Sequence, residues 1–207
     1  MCTNVSSFVS TPGFEEWDDY LSAVCSGLGG LAVTDKAGLA MIPAEGFHRW
    51  IEITHDVQAR GQNIYFIGNG ASAAMAGHFA ADACKNGGLR AQAFNDAPLL
   101  TATGNDLTFD EVFALPLARP ARAGDLLITI SSSGSSPNIL RALERARAMR
   151  LQIVTLSGKA TDNPSRTFGD VNFYVPNSRY GWVESAHHVV LHYWIDQYLN
   201  LHGQGAV

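Results

Sequence analysis

Cysteine is scarce, basic residues never cluster, and no apolar run is long enough to cross a bilayer. The three cysteines, Cys2, Cys25 and Cys84, are odd in number and show no C-x-x-C spacing. A reducing cytoplasm suits them better than a disulfide framework. Charged residues are only 16% of the chain, the formal net charge is −5, and no stretch of Lys or Arg offers a phosphate-backbone footprint. A nucleic-acid partner is therefore not expected. A membrane helix needs about 20 consecutive apolar residues, which the chain lacks, so no membrane partner is expected either. The opening MCTNVSSFVSTPGFEEW has neither the charged start nor the long apolar core of a secretory leader, and a cytoplasmic location is expected. No repeat, linker or low-complexity segment divides the 207 residues, which suffice for one full core.

What is present twice is an apolar strand running into a loop of small residues and then a helix. The first copy is NIYFIGNGASAAMAGHFAAD, Asn63–Asp82, and the second is DLLITISSSGSSPNIL, Asp125–Leu140. Small residues let backbone approach a ligand closely, and the free N–H groups of a helix start form an anion site. Ser72, Ser131, Ser132, Ser133 and Ser136 add hydroxyl donors without adding charge. Serine at a helix start can also simply cap it, and Ser72 and Pro137 lie where helix starts are expected. Two such loops on one sheet point to a phosphorylated ligand held between them.

Along the chain, residues 1–12 read as a loose N-terminus and 13–207 as one domain. From Phe14 to Gly61 the pattern is helical, with Trp17, Leu21, Val24, Cys25 and Leu28 at three- and four-residue spacing, interrupted at Gly29-Gly30 and resumed near Pro43. Residues 62–207 form the sheet-and-helix core. Strands are predicted at Ile64–Ile67, Ala91–Phe94, Leu126–Ile130, Gln152–Leu156 and Val171–Val175. Helices are predicted at Ser72–Lys85, Leu99–Thr103, Pro137–Met149 and Trp182–Leu201. That alternation implies an α/β fold, a parallel β-sheet flanked by helices on both faces, with N-terminal helices and a long C-terminal helix. The N-terminal segment, with Trp17, Trp50 and many Leu and Ala, carries more apolar surface than one sheet covers, and a homo-oligomer is expected.

The first loop also satisfies G-x-G-x-x-A, and Asp96 could serve as the ribose acid of a dinucleotide site or as a turn residue. The second serine loop has no role in that reading. The motifs instead resemble the sugar isomerase (SIS) domain, and within it the phosphoheptose isomerases. That family's G-N-G-G-S-A-A and H-F-A-A-E appear here as GNGASAA and HFAAD. Its L-T-A-x-x-N-D-x-x-x-x-x-V-F appears as LTATGNDLTFDEVF, its S-T-S-G-N-S-x-N as SSSGSSPN, and its closing Q-E-x-H-x-x-x-x-H as ESAHHVVLH. The resemblance runs from about Ile64 to the C-terminus. It implies that Ser72, Ser131, Ser132, Ser133 and Ser136 hold a sugar phosphate, that Asn69, Gly70 and Asp106 line the same cleft, that the protein is a tetramer, and that no nucleotide cofactor is needed.

His78 and Asp82 are four residues apart on one predicted helix, and Glu184 and His192 eight apart on another, so each pair shares a face. Two imidazoles and two carboxylates suit Zn²⁺ or another divalent transition metal, and a histidine pair between two helices can equally be only hydrogen bonded. The resemblance places the metal ligands of the zinc-binding isomerases on His78, Asp82, Glu184 and His192. Asp82 stands where those isomerases have Glu, Glu184 where they have Gln, and Gly181 where some have an acidic substrate-binding residue. His187 and His188 read as helix-face or packing residues. The implied reaction is aldose–ketose isomerisation through an enediol, with Glu184 or Asp82 as base and His192 as acid. Sedoheptulose 7-phosphate, going to D-glycero-D-manno-heptose 7-phosphate, is the expected substrate. The rival reading is a non-catalytic SIS protein, a sugar-phosphate sensor or an adaptor like the DnaA initiator-associating protein.

Overall fold

The computed structural model describes residues 15–203, so the segment 1–12 and Phe14 lie outside the described residues. The chain runs α1 (Trp17–Gly29), β1 (Ala32–Asp35), β2 (Ala40–Met41), α2 (Pro43–Ala59), β3 (Ile64–Gly68), α3 (Ala71–Lys85), β4 (Ala91–Ala93), α4 (Ala97–Asp106) and α5 (Glu111–Leu117). It continues through β5 (Leu126–Ser131), α6 (Pro137–Ala148), β6 (Gln152–Gly158), β7 (Val171–Val175) and α7 (Tyr180–His202). The strands form one seven-stranded sheet in the order β2-β1-β7-β6-β5-β3-β4, parallel from β7 through β4.

Strands β3, β5 and β7 are buried at every residue, as is β6 after Gln152, because helices cover both faces. Alternation then sorts the side chains. Ile64, Phe66, Ile128 and Val154 pack under α2, α3 and α7 with Trp50, Phe79 and Trp194. Tyr65, Ile67, Leu127 and Ile153 pack under α5 and α6 with Phe113, Ile139 and Leu143. Trp50 and Trp194 stack at 4.7 Å, and the Trp194 indole donates to Thr54 Oγ1 at 3.1 Å, which fixes α7 against α2. Among the described residues no helix is long and apolar enough to cross a membrane, and Cys25 and Cys84 are free.

The two helical stretches expected up to Gly61 form as α1 and α2, and the interruption between them holds a strand hairpin that was not expected. Strands β1 and β2 pair antiparallel, and β1 also runs antiparallel along β7. The Asp35 carboxylate accepts from the N–H groups of Ala37 and Leu39, and Gly38 takes a positive φ, so TDKAGL is a turn that ends any helical continuation. Val33 points into the core, and the Asn172 amide donates to the carbonyls of Thr34 and Asp35, binding the hairpin to the sheet edge. The sheet is thus parallel at its centre with an antiparallel margin.

Candidate functional site: two serine loops and a histidine cluster

Strands β3 and β5 are neighbours, with Gly68 opposite Ile130. From β3 the chain moves outward to β4, whereas β5 leads on to β6 on the other side, so the carboxyl ends of β3 and β5 flank the point where strand order reverses. Open α/β sheets bind ligands in that crevice. Both serine loops lie there. Gly68 is obligatory in the first, since a Cβ would come within 2.6 Å of the Ser72 backbone, and Gly70 takes φ +56° to start α3. In the second, Gly134 takes φ +62° and lies against Asn163.

The loops are locked together. Asn69 Nδ2 donates to Asn138 Oδ1 and Asn138 Nδ2 donates to Asn69 Oδ1, each at 2.9 Å, and Asn138 Oδ1 also accepts from the Ile139 N–H. Asn69 is therefore the clamp between the loops. Ser131 Oγ accepts from the Gly134 N–H and Ser133 Oγ from the Ser135 N–H, which shapes the second turn. Ser72 and Ser132 are buried, and Ser132 Oγ has no hydrogen-bond partner. Ser136 is the N-cap residue of α6 but its hydroxyl makes no cap bond, and α3 starts from Gly70 without a side-chain cap. Capping therefore does not account for Ser136. Asp96, the residue that could have been a ribose acid, caps α4 through the Leu99 N–H. Asp106 ends α4, exposed, with its carboxylate accepting from Asn105 Nδ2.

From the start of α3 a cavity of about 420 Å³ runs to the first half of α7, lined by Ala71, Met75, His78, Glu184 and His188 among others. At its wall the ligand nitrogens of His78, His188 and His192 all lie within 4.8 Å of one another. The His188 and His192 rings are nearly parallel at 4.9 Å, and His78 stands 5.8 and 5.7 Å from them. Phe79 meets His188 and His192 edge-on. Asp82 Oδ2 is 3.3 Å from His78 Nε2. Of the four residues chosen from the sequence, His78 and His192 thus converge, Asp82 leans on His78, and Glu184 lines the cavity outside the three-histidine group. Partial burial pushes the His188 imidazole below its ordinary pKa, and the neighbouring His192 and His78 push the same way.

His188 was not among the predicted ligands. The signal was its place midway between Glu184 and His192, four residues from each on one helix. His187 points the other way. It is fully buried, with Nε2 donating to the Ser157 carbonyl at 3.0 Å, and burial lowers its pKa to about 4. Gly181 sits under the Tyr20 hydroxyl, which a Cβ would approach within 2.9 Å, so a larger residue here requires the Tyr20 side chain to move.

A sequence model of the SIS domain matches residues 43–158. Phosphoheptose isomerase from Bordetella avium is 35% identical over 150 residues, spanning 69% of this chain and 76% of that protein. Phosphoheptose isomerase GmhA from Neisseria gonorrhoeae superposes with a TM-score of 0.71 at 33% identity, over 76% of this chain and 87% of that one. A phosphoheptose isomerase from Francisella tularensis shares the fold with a TM-score of 0.76 at 22% identity, over 89% and 94%. With the motifs in order and the fold matched, the chain belongs to the SIS domain family and to its phosphoheptose isomerase branch.

Proposed function

We propose that the protein is a cytoplasmic sugar-phosphate isomerase that interconverts a ketose and an aldose, with sedoheptulose 7-phosphate to D-glycero-D-manno-heptose 7-phosphate as its reaction. The observation that carries this reading is the pairing of two clamped serine loops at the switch point with a cavity holding His78, Glu184 and His188 directly beyond α3's first turn. The loops bind the phosphate through backbone N–H groups and the hydroxyls of Ser72, Ser131, Ser132, Ser133 and Ser136, and that remote anchor positions the reacting carbons.

At C1 and C2 a base removes the C1 proton while an acid protonates the C2 carbonyl oxygen, giving the enediol. Return of a proton to C2 and loss of the O1 proton gives the aldose. Glu184, on the cavity wall, is the base, with Asp82 the other candidate, and His192 is the acid. The family resemblance implies zinc or a related divalent ion, and clustered imidazoles are borderline donors that fit one. When bound, such an ion supplies Lewis-acid polarisation of a carbonyl oxygen. Retention of this cluster speaks against an adaptor, which has no use for it.

The reading includes assembly into a tetramer. Trp50 is buried within the chain, but Trp17, Leu39, Ile42, Val189 and Tyr193 are exposed, and an apolar groove bordered by Leu31, Phe47 and Tyr193 lies between α1, α2 and α7. Sedimentation velocity at micromolar concentration is expected to give a tetramer. The decisive test is an isomerisation assay of purified protein on a panel of five-, six- and seven-carbon sugar phosphates. Turnover is expected with the seven-carbon ketose, and binding without turnover of any member would make the protein a sensor or adaptor.

A further inference from the structure

We propose that His188 is a metal ligand in this chain, so that three imidazoles, those of His78, His188 and His192, hold the ion through one ring nitrogen each, His192 keeps its other ring N–H for the acid role and Glu184 is left free as the base. The inference rests on the reading of the cavity as an isomerase site and departs from the His78, Asp82, Glu184 and His192 set that the resemblance implies. Three lines of geometry carry it.

The first is convergence. Among the described residues, the group whose donor atoms come within 4.8 Å of one another is His78, His188 and His192, and neither Asp82 nor Glu184 belongs to it. His78 and His188 are exposed and His192 is half-buried, so side-chain rotation alone can close them on an ion. The second is the carboxylate at His78. A metal-binding histidine uses one ring nitrogen for the ion and commonly gives the other to a carboxylate, which orients the ring. Asp82 Oδ2 lies 3.3 Å from His78 Nε2, so in this arrangement Asp82 takes that outer position on Nε2 and His78 offers Nδ1 to the ion. The Asp82 side chain is one methylene shorter than the Glu that the resemblance implies at this position, and the imidazole of His188 on α7 stands in the cluster beside His78 and His192. The third is Glu184, which faces the cavity beside His188 and Ser185 without joining the cluster.

The consequence is a change of donor chemistry. Three neutral imidazoles leave a divalent ion with its full charge, whereas a set containing two carboxylates cancels it. A nitrogen-only triad also selects Zn²⁺ and Co²⁺ over Mg²⁺, Ca²⁺ and Mn²⁺, which prefer oxygen.

The test uses the full chain, stripped of metal and titrated with Co²⁺ and Zn²⁺. Affinity is read by competition with a chromophoric chelator, coordination by the visible spectrum of the cobalt form, and isomerisation separately. Wild type is expected to take one ion per chain. His188→Ala and the bulkier His188→Gln should lose affinity by more than about 100-fold, beyond what loss of an outer partner costs, with a changed cobalt spectrum. Glu184→Gln should keep affinity within about threefold and the spectrum intact while turnover falls. Because His188 is exposed, its variants should fold, and circular dichroism checks this. Wild-type affinity and spectrum in both His188 variants, with loss in Glu184→Gln or Asp82→Asn, would overturn the triad and leave the isomerase standing. Failure of wild type to bind either ion would also overturn it, and turnover by that same metal-free protein would keep the isomerase reading. Absence of turnover with metal bound would sink the isomerase alone.

Discussion

Replacing Asn69 by Ala should do more damage than its position in a half-exposed loop suggests, because it breaks the clamp between the two ligand loops. The Asn69 and Asn138 amides exchange two hydrogen bonds of 2.9 Å, and Asn138 is only 2% exposed. Each bond contributes about 1 kcal/mol net, and leaving the buried Asn138 NH₂ without an acceptor adds a desolvation cost of about 1–3 kcal/mol. Asn69→Ala should therefore lose about 3–5 kcal/mol, a fall in Tm of roughly 6–20 °C for a chain of this size. Asn138→Ala should cost a similar amount, since Ile139 N–H also loses its side-chain acceptor. The double variant should cost less than the sum, because both single variants lose the same two bonds, with a coupling energy of about 2–3 kcal/mol. Urea denaturation of the four proteins measures the cycle, and calorimetric titration with inorganic phosphate measures the loops. Phosphate binding should weaken in every variant, because the hydroxyls on the two loops no longer hold a fixed separation. Additive effects within about 0.5 kcal/mol would show that the amides do not act as a unit.

Two further outcomes test neighbouring parts of the argument. Ser136→Ala removes an N-cap serine that makes no cap bond, so stability should change by less than about 0.5 kcal/mol, against about 1 kcal/mol for an ordinary cap, while phosphate binding falls about tenfold or more; unchanged binding returns this serine to a structural role. His187 stays neutral in the fold, with its pKa lowered to about 4 by burial, whereas the unfolded chain takes a proton near pH 6.5. Stability it supports is therefore complete above pH 6.5 and is lost as pH falls towards 4, by about 3 kcal/mol in all, and His187→Gln should flatten that slope in urea melts at pH 7.5, 6 and 4.5. Parallel curves for the two proteins would refute the assignment.

The parallel strands and the helices between them were legible because their causes are local. Strands β3, β5 and β7 are covered on both faces and read as largely apolar runs, and Pro43 and Pro137 mark helix starts where a missing N–H costs nothing. The hairpin of β1 and β2 was not legible, because four residues of AVTD and two of AM carry too little periodicity to stand against a helical run on either side. Its existence depends on β7, more than a hundred residues away, offering a sheet edge, and on Asn172 binding its carbonyls. The Asn69–Asn138 clamp is hidden for the same reason. Each asparagine looks like a loop residue until β3 and β5 are neighbours.

His188 differs from both, since the sequence contained the geometry that places it. A helix turns about 100° per residue, so positions four apart are offset by about 40° and positions eight apart by about 80°. Glu184 and His192, taken together as one face, must therefore enclose residue 188 between them, nearer to each than they are to one another. Any side chain at 188 had to face the same cavity, and in this chain it is an imidazole. A family pattern names the positions its members share and is silent about the residue between them. The helical period is not silent, and here it puts a third imidazole beside His78 and His192.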